Sequence, residues 1–324
     1  MNIYVKSFLI AFVVAIFMYV FLIPLLRRIK IGQSIRREGP KKHYGKAGTP
    51  TMGGLIILIA TIVTVFYLKL TGTLFSKYDL LLLFMPLLLY GTLGFIDDYL
   101  IVIKKSNKGL NSGFKLFIQI VWAGMYFYLF LDQGLSSVID FFGWKVDFKW
   151  FYGVLILLML VGFSNAVNFS DGLDGLAAGL LIIALAAAAV ISRFKGETEI
   201  TLFSLALLGA VLAFFCYNFN PAKIFMGDVG SLALGATVAN LFILLKMEVL
   251  LLIVGFVFLL EGLSVVIQVI YFKLTGGKRI FLMSPIHHHF ELKGMNEWEI
   301  DVMFWLIAMV MAAGAVILAY LYYL

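Results

Sequence analysis

Five aspartates sit in or beside short polar breaks of an otherwise apolar chain: Asp97, Asp98, Asp171, Asp174 and Asp228. Carboxylates at the ends of apolar spans are costly to place, so their presence asks for a function. Hard oxygen donors, basic residues and a run of three histidines together suit Mg²⁺ and phosphate chemistry. Asp97 and Asp98 fall in GFIDDYL, and neighbours on a helix point about 100° apart. One carboxylate is expected toward reactants and the other toward a lysine or a supporting contact. The plain alternative is a carboxylate pair at a membrane exit near Lys104 and Lys105.

NFSDGLDG is more specific. Asn168, Asp171 and Asp174 would share one face of a helix, but Gly172 and Gly175 favour a tight turn with close backbone approach. Either way, oxygen ligands gather where a helix begins, and its positive end favours anions. The competing reading is that Asp174 only caps that helix. Asp228, in MGDVGS, stands at another helix start, where capping is again the alternative. Asn218 and Asn220 either offer amides to a nucleobase or satisfy loop backbone. His287, His288 and His289 follow Pro285. In an extended segment His287 and His289 share a face and His288 points away. With Lys278, Arg279 and Lys293 nearby, imidazoles binding phosphate or sugar fit better than zinc, because the loops carry no cysteine. Glu261 and Gln268 share a helix face inside an apolar span, where a glutamate is a functional suspect and interhelical hydrogen bonding the alternative.

These residues need elements to position them. The 324 residues are 63% hydrophobic and 13% charged, about half a soluble protein's usual charge. The apolar runs are continuous and lack period-two alternation, which indicates helices and not a barrel. One integral membrane domain, residues 1–324, is expected, an all-α polytopic protein of about ten transmembrane helices. The spans lie near 3–26, 52–70, 79–96, 114–131, 150–167, 175–193, 199–217, 230–246, 249–272 and 298–324. The first is expected to be a retained helix, because a dense basic loop follows it. Cys216 is the sole cysteine, so no intrachain disulfide forms. The net charge of +7 is assigned to loops facing lipid headgroups or a phosphorylated substrate, not to nucleic acid. The segment Arg36 to Lys46 either binds a lipid phosphate or serves only as a topology signal. Lysine and arginine placement puts this loop and all four polar motifs in the cytoplasm and both termini outside. Ser136 to Trp150 reads as a short interfacial hairpin on the outer face. No Walker A sequence, dinucleotide glycine fingerprint or CxxC pair is present.

GTPTMGG, GFIDDYL, NKGL, NFSDGLDG, FNPAKIFMGDVGS and PIHHHFELKG, in that order, resemble the phospho-N-acetylmuramoyl-pentapeptide transferase (MraY) family. That family sits within the polyprenyl-phosphate N-acetylhexosamine 1-phosphate transferases. The resemblance runs from about Arg36 to Gly294. It implies a bacterial inner-membrane enzyme with its active site on the cytoplasmic face. The enzyme would move phospho-N-acetylmuramoyl-pentapeptide from its UDP carrier to undecaprenyl phosphate, giving lipid I and UMP, with Mg²⁺ as cofactor. By the same resemblance Asp228 is a Mg²⁺ ligand, Asp97 and Asp98 are essential, and Asn168, Asp171 and Asp174 are active-site residues. Gly172, Leu173, Asn218 and Phe225 fall where the family holds uridine, and His287 to His289 match its signature histidines. Uridine-containing antibiotics are expected inhibitors, and a homodimer is expected by analogy with other polyprenyl-dependent enzymes. The lipid tail is expected beside an interrupted ninth helix. The alternatives are a sister transferase taking UDP-N-acetylglucosamine and, from another class, an ion-coupled transporter, which would need charges deep inside several spans.

The chemistry of the residues agrees. One phosphoanhydride is exchanged for another, so no ATP site is required. The acceptor phosphate is itself a nucleophile, and direct attack is favoured over an aspartyl intermediate because a metal-ligating Asp228 is a poor nucleophile.

Overall fold

The computed structural model describes residues 2–28, 48–72, 80–104 and 109–323. The basic segment Arg36 to Lys46, together with Lys30, Lys77, Lys105 and Lys108, lies outside the described residues. In chain order the elements are α1 (Ile3–Arg28), α2 (Gly54–Leu70), α3 (Leu80–Lys104) and α4 (Ser112–Asp132). Then follow β1 (Val138–Phe141), β2 (Trp144–Asp147), α5 (Phe151–Ser170), α6 (Leu176–Phe194), α7 (Thr198–Asn218) and α8 (Asp228–Leu244). The chain closes with α9 (Glu248–Val254), α10 (Phe256–Leu274), α11 (Ile286–Leu292) and α12 (Glu297–Tyr322).

Long apolar stretches become helices because a helix satisfies its own backbone where no water is available. Polar residues mark where two of them begin. Asn111 accepts from the Gly113 and Phe114 N–H groups before α4, and Asn296 and Glu299 form a reciprocal capping box on α12. Among the described residues, eight helices are long and apolar enough to cross a membrane. The expected second and eighth spans correspond to α2 and α8, each 17 residues, or about 25 Å of helix. The expected ninth span is two helices. The backbone breaks at Gly255, whose ψ of 14° leaves the helical range. From there α9 runs against α8 and α12, and α10 turns to α5 and α11.

At the centre is α8, buried from Val229 to Leu244 and packed between α3 and α5. Lipid tails are as apolar as the side chains, so such contacts rely on close packing of small residues. The tightest is at Gly94 of α3, where a Cβ would collide with the Asp228 backbone. Outward faces of α1 and α12 expose apolar side chains, among them Val13, Phe17 and Val310, as lipid contact requires.

The expected hairpin is present, with β1 and β2 antiparallel and Phe141 opposite Trp144. It leads directly into α5, so it lies at the end of α5 and α8 away from Asn168 and Asp228. At that far end Lys246 Nζ donates to the Tyr152 hydroxyl at 2.6 Å and pairs with Glu248 at 2.6 Å.

Candidate active site

The carboxylates converge where α3 ends, α5 turns into α6 and α8 begins. The third helix does not stop near residue 96 but continues through Asp97 and Asp98 to Lys104, so the two aspartates are separated by helical geometry alone. Asp97 meets Lys115 of α4, with Nζ 3.0 Å from its Oδ2, and its Oδ1 accepts the Leu110 N–H at 2.6 Å. Asp98 turns to the start of α8, where it accepts the Asp228 N–H at 3.2 Å and the Val229 N–H at 3.1 Å. Its carboxylate thereby satisfies amides that a helix N-terminus leaves free and lies at the positive end of the helix dipole.

Asp228 is the first residue of α8, but its side chain does not cap the helix. It reaches sideways. Lys115 Nζ lies 2.6 Å from Oδ2, and Asn168 Nδ2 donates to Oδ1 at 2.7 Å and to Ser231 Oγ at 2.8 Å. One ammonium thus bridges two aspartates, and one amide ties α5 to α8.

NFSDGLDG forms a turn. The α5 helix ends at Ser170 and α6 starts at Leu176, so Asn168, Asp171 and Asp174 do not share a helical face. Gly175 holds the position before α6 at φ 92°, and no side chain caps this helix. Asp174 is buried and accepts the Ala222 N–H at 2.9 Å, which fastens the turn to the loop before α8. Asp171 is half-buried. Burial first, then the nearby charges of Asp228, Asp98 and Asp174, push its carboxyl well above the usual carboxylate range, with the Gly227 N–H working the other way.

That surplus of negative charge is the test for a cation. Only Lys115 is seen to pair with Asp97 and Asp228 among the described residues, and the donors are hard oxygens. Mg²⁺ is normally held by one or two carboxylates plus water and substrate phosphate, not by a closed protein cage. No closed group of three or more metal-binding side chains occurs among the described residues. A part-exposed Asp228 in this setting fits Mg²⁺.

The histidines correct an expectation. Residues 286–292 are helical, not extended, and positions two apart on a helix differ by about 200°. His287 and His289 therefore do not share a face. His287 is buried with Nδ1 3.0 Å from Glu261 Oε2, His288 pairs with Glu291 at 2.6 Å, and His289 Nδ1 accepts the Leu282 N–H at 3.1 Å. Gln268 accepts the Ile280 and Phe281 N–H groups, both at 3.0 Å, and so pins the segment leading to the histidines.

Asn218 is buried and uses both ends of its amide on backbone, accepting from Gly175 at 3.1 Å and donating to Ile224 at 2.9 Å. Asn220 donates to Glu297 at 3.2 Å. Leu173 packs into the core while Gly172 is exposed. Phe225 is half-buried, with its backbone laid along the entry to α2: its N–H donates to Pro50 and its carbonyl accepts from Gly53, each at 2.8 Å.

Lys115 lies in none of the sequence motifs. The signal was there: a lone lysine in the first turn of an apolar helix, four residues after the capping Asn111, is an ionisable group in a span and therefore a site suspect. Ser231 and the Leu110 amide carry no such signal.

Comparison with known proteins bears directly on this cluster. Residues 80–246, from α3 to just past α8, match Glycosyl transferase family 4. Residues 46–58 match Phospho-N-acetylmuramoyl-pentapeptide-transferase signature 1. A protein of that name from Halalkalibacterium halodurans is 48% identical over 314 residues, 96% of each chain. Its namesake from Geobacillus thermodenitrificans is 47% identical over 96% of each chain, and that of Listeria monocytogenes 46% identical over 97% of this chain and 96% of its own. The chain belongs to the phospho-N-acetylmuramoyl-pentapeptide-transferase family. The two matched regions of this family member touch in space: the signature segment Pro50 to Gly54 is hydrogen-bonded to Phe225 and Met226, just ahead of Asp228.

Proposed function

We propose that this membrane enzyme transfers phospho-N-acetylmuramoyl-pentapeptide from its UDP carrier to undecaprenyl phosphate, releasing UMP and forming lipid I. The observation that carries the reading is Lys115 bridging Asp97 and Asp228 at the start of α8. Two phosphorylated substrates repel one another, and a site for them must supply positive charge and fixed donors. Lys115 supplies the positive charge, while Asp98 on the α8 amides and Asn168 on Asp228 hold the site's geometry around it. When bound at Asp228, Mg²⁺ supplies charge neutralisation for the donor diphosphate and the departing UMP.

The reaction is a direct displacement. An oxygen of the lipid phosphate forms a bond to the sugar-linked phosphorus of the donor as the bond to UMP breaks. The acceptor phosphate, with a second pKa near about 6 by analogy with phosphorylated side chains, needs little help from a base. Asp98 accepts two α8 amides and Asp97 faces Lys115, which supports positioning roles for both. Asp228, held by Lys115 and Asn168, is poorly suited to form an aspartyl phosphate.

The same reading takes α2 and α8 as spans, giving about ten, and sets both termini outside and the aspartate end in the cytoplasm. Its support is the lysine and arginine bias of the sequence and the separation of the aspartates from the hairpin. The sister reading, with UDP-N-acetylglucosamine as donor, is disfavoured by the signature at residues 46–58. The test is UMP release by purified protein with undecaprenyl phosphate and either donor, with and without Mg²⁺. Mg²⁺-dependent turnover of the muramoyl donor alone, lost in Asp228→Ala, is the expected result. Turnover of the glucosamine donor alone would overturn the donor assignment.

A further inference from the structure

Glu261 lies inside α10 with no exposed surface, yet its Oε1 has no hydrogen-bond partner among the described residues. Its Oε2 meets His287 Nδ1 at 3.0 Å. The far edge of that imidazole lies beneath the turn between α5 and α6. A Cβ at Gly172 would collide with His287 Nε2, and Nε2 has no partner of its own among the described residues. A buried carboxylate thus holds a buried imidazole, and the imidazole packs against Gly172, where any side chain would displace it. Asp171 and Asp174 flank that contact.

We propose that Glu261 is a positioning residue for the transfer reaction, acting through His287 to fix the Gly172 turn and with it the placement of Asp171 and Asp174. The physical basis is the partner of Nδ1. An ionised Glu261 accepts only, so it holds the Nδ1 hydrogen and one ring orientation, as carboxylate–histidine pairs do around other sites. A glutamine of the same shape loses that selectivity. Its amide can donate to Nδ1 instead, which forces the proton onto Nε2, a buried position facing Gly172 with nothing to accept it. A carboxylate specifies a single arrangement where an amide permits two.

The proposal rests on Asp171 and Asp174 belonging to the transferase site, and the experiment separates the two ideas. Glu261→Gln, His287→Asn and the double variant would be assayed for kcat and KM. Wild type and His287→Asn would also be labelled with ¹⁵N-histidine, the difference between their spectra assigning His287. Glu261→Gln is expected to lower kcat about 10–100-fold, the usual range for loss of such a supporting contact, with KM for the donor changed less than threefold. Adding it to His287→Asn is expected to change kcat less than twofold, because residues acting through one another are not additive. The wild-type spectrum is expected to show His287 protonated at Nδ1. A His287 lacking that proton, kcat in Glu261→Gln within twofold of wild type, or multiplying effects in the double variant would overturn the proposal. If Glu261→Gln does not fold, the wild-type spectrum decides alone. It needs no turnover, so it stands even if the reading of the transferase site fails.

Discussion

Lys115 Nζ stands 2.6 Å from Asp228 Oδ2 and holds Asp97 on its other side at 3.0 Å, so one flexible cation joins α3, α4 and α8 at the aspartate end of the bundle. With one charge against several carboxylates, the arrangement leaves the cluster negative and ready for a further cation.

Lys115→Met is expected to lower kcat by about 10²–10³, the usual loss when a donor that stabilises developing charge is removed. UMP release at saturating donor and Mg²⁺ measures it. Activity within fivefold of wild type would remove Lys115 from the site.

Asp98→Ala is expected to act on stability as well as rate. Asp98 accepts two amides of α8, and leaving them unpaired costs about 1.5–3 kcal/mol. Thermal unfolding in detergent should show a lower Tm than for Asp97→Ala, which leaves the α8 amides paired with Asp98. Equal Tm values would contradict the capping role.

The Asp171 carboxyl, raised by burial and by Asp228, Asp98 and Asp174, gives a pH prediction whose sign is fixed. A carboxyl raised in the fold adds stability below its unfolded value of about 3.9, and that stability is lost as pH rises through the raised folded value. Bound Mg²⁺ favours the ionised form, so metal binding should release protons. The rise in Tm on adding Mg²⁺ should be larger at pH 8 than at pH 6. A larger rise at pH 6 would reverse the assignment.

Gly94→Ala should damage the site without touching any reacting group. Its Cβ would meet the Asp228 backbone, and overpacking of this kind costs about 1–3 kcal/mol. Both Tm and kcat should fall, and retention of both at wild-type values would show that α3 and α8 can move apart freely.

Lys246→Met is the control at the far end. It removes a partner of the buried Glu248 while Tyr152 still donates to that carboxylate, so a loss of about 2 kcal/mol is expected. The kcat of the folded fraction should be unchanged, and a tenfold fall would link the two ends of α8.

Much of this molecule could be read from the sequence. Continuous apolar runs without period-two alternation indicate helices where backbone must satisfy itself, and Gly172 with Gly175 favoured the turn that is found. Every aspartate of the cluster was recognisable because a carboxylate in so apolar a chain needs a reason to be there. Tertiary structure alone decided partners. Periodicity says which way a residue points along its own helix but nothing about the helix opposite, so the bond from Lys115 to Asp228 and the seat of Asp98 on α8 were not legible. The same holds for the histidines: three identical side chains in a row carry no sign of helix or extended chain. Their separate contacts with Glu261, Glu291 and the Leu282 amide follow from how α10 and α11 pack. Sequence determined what the chain had to bury and which groups it could not leave unpaired, and packing in three dimensions determined which of them meet.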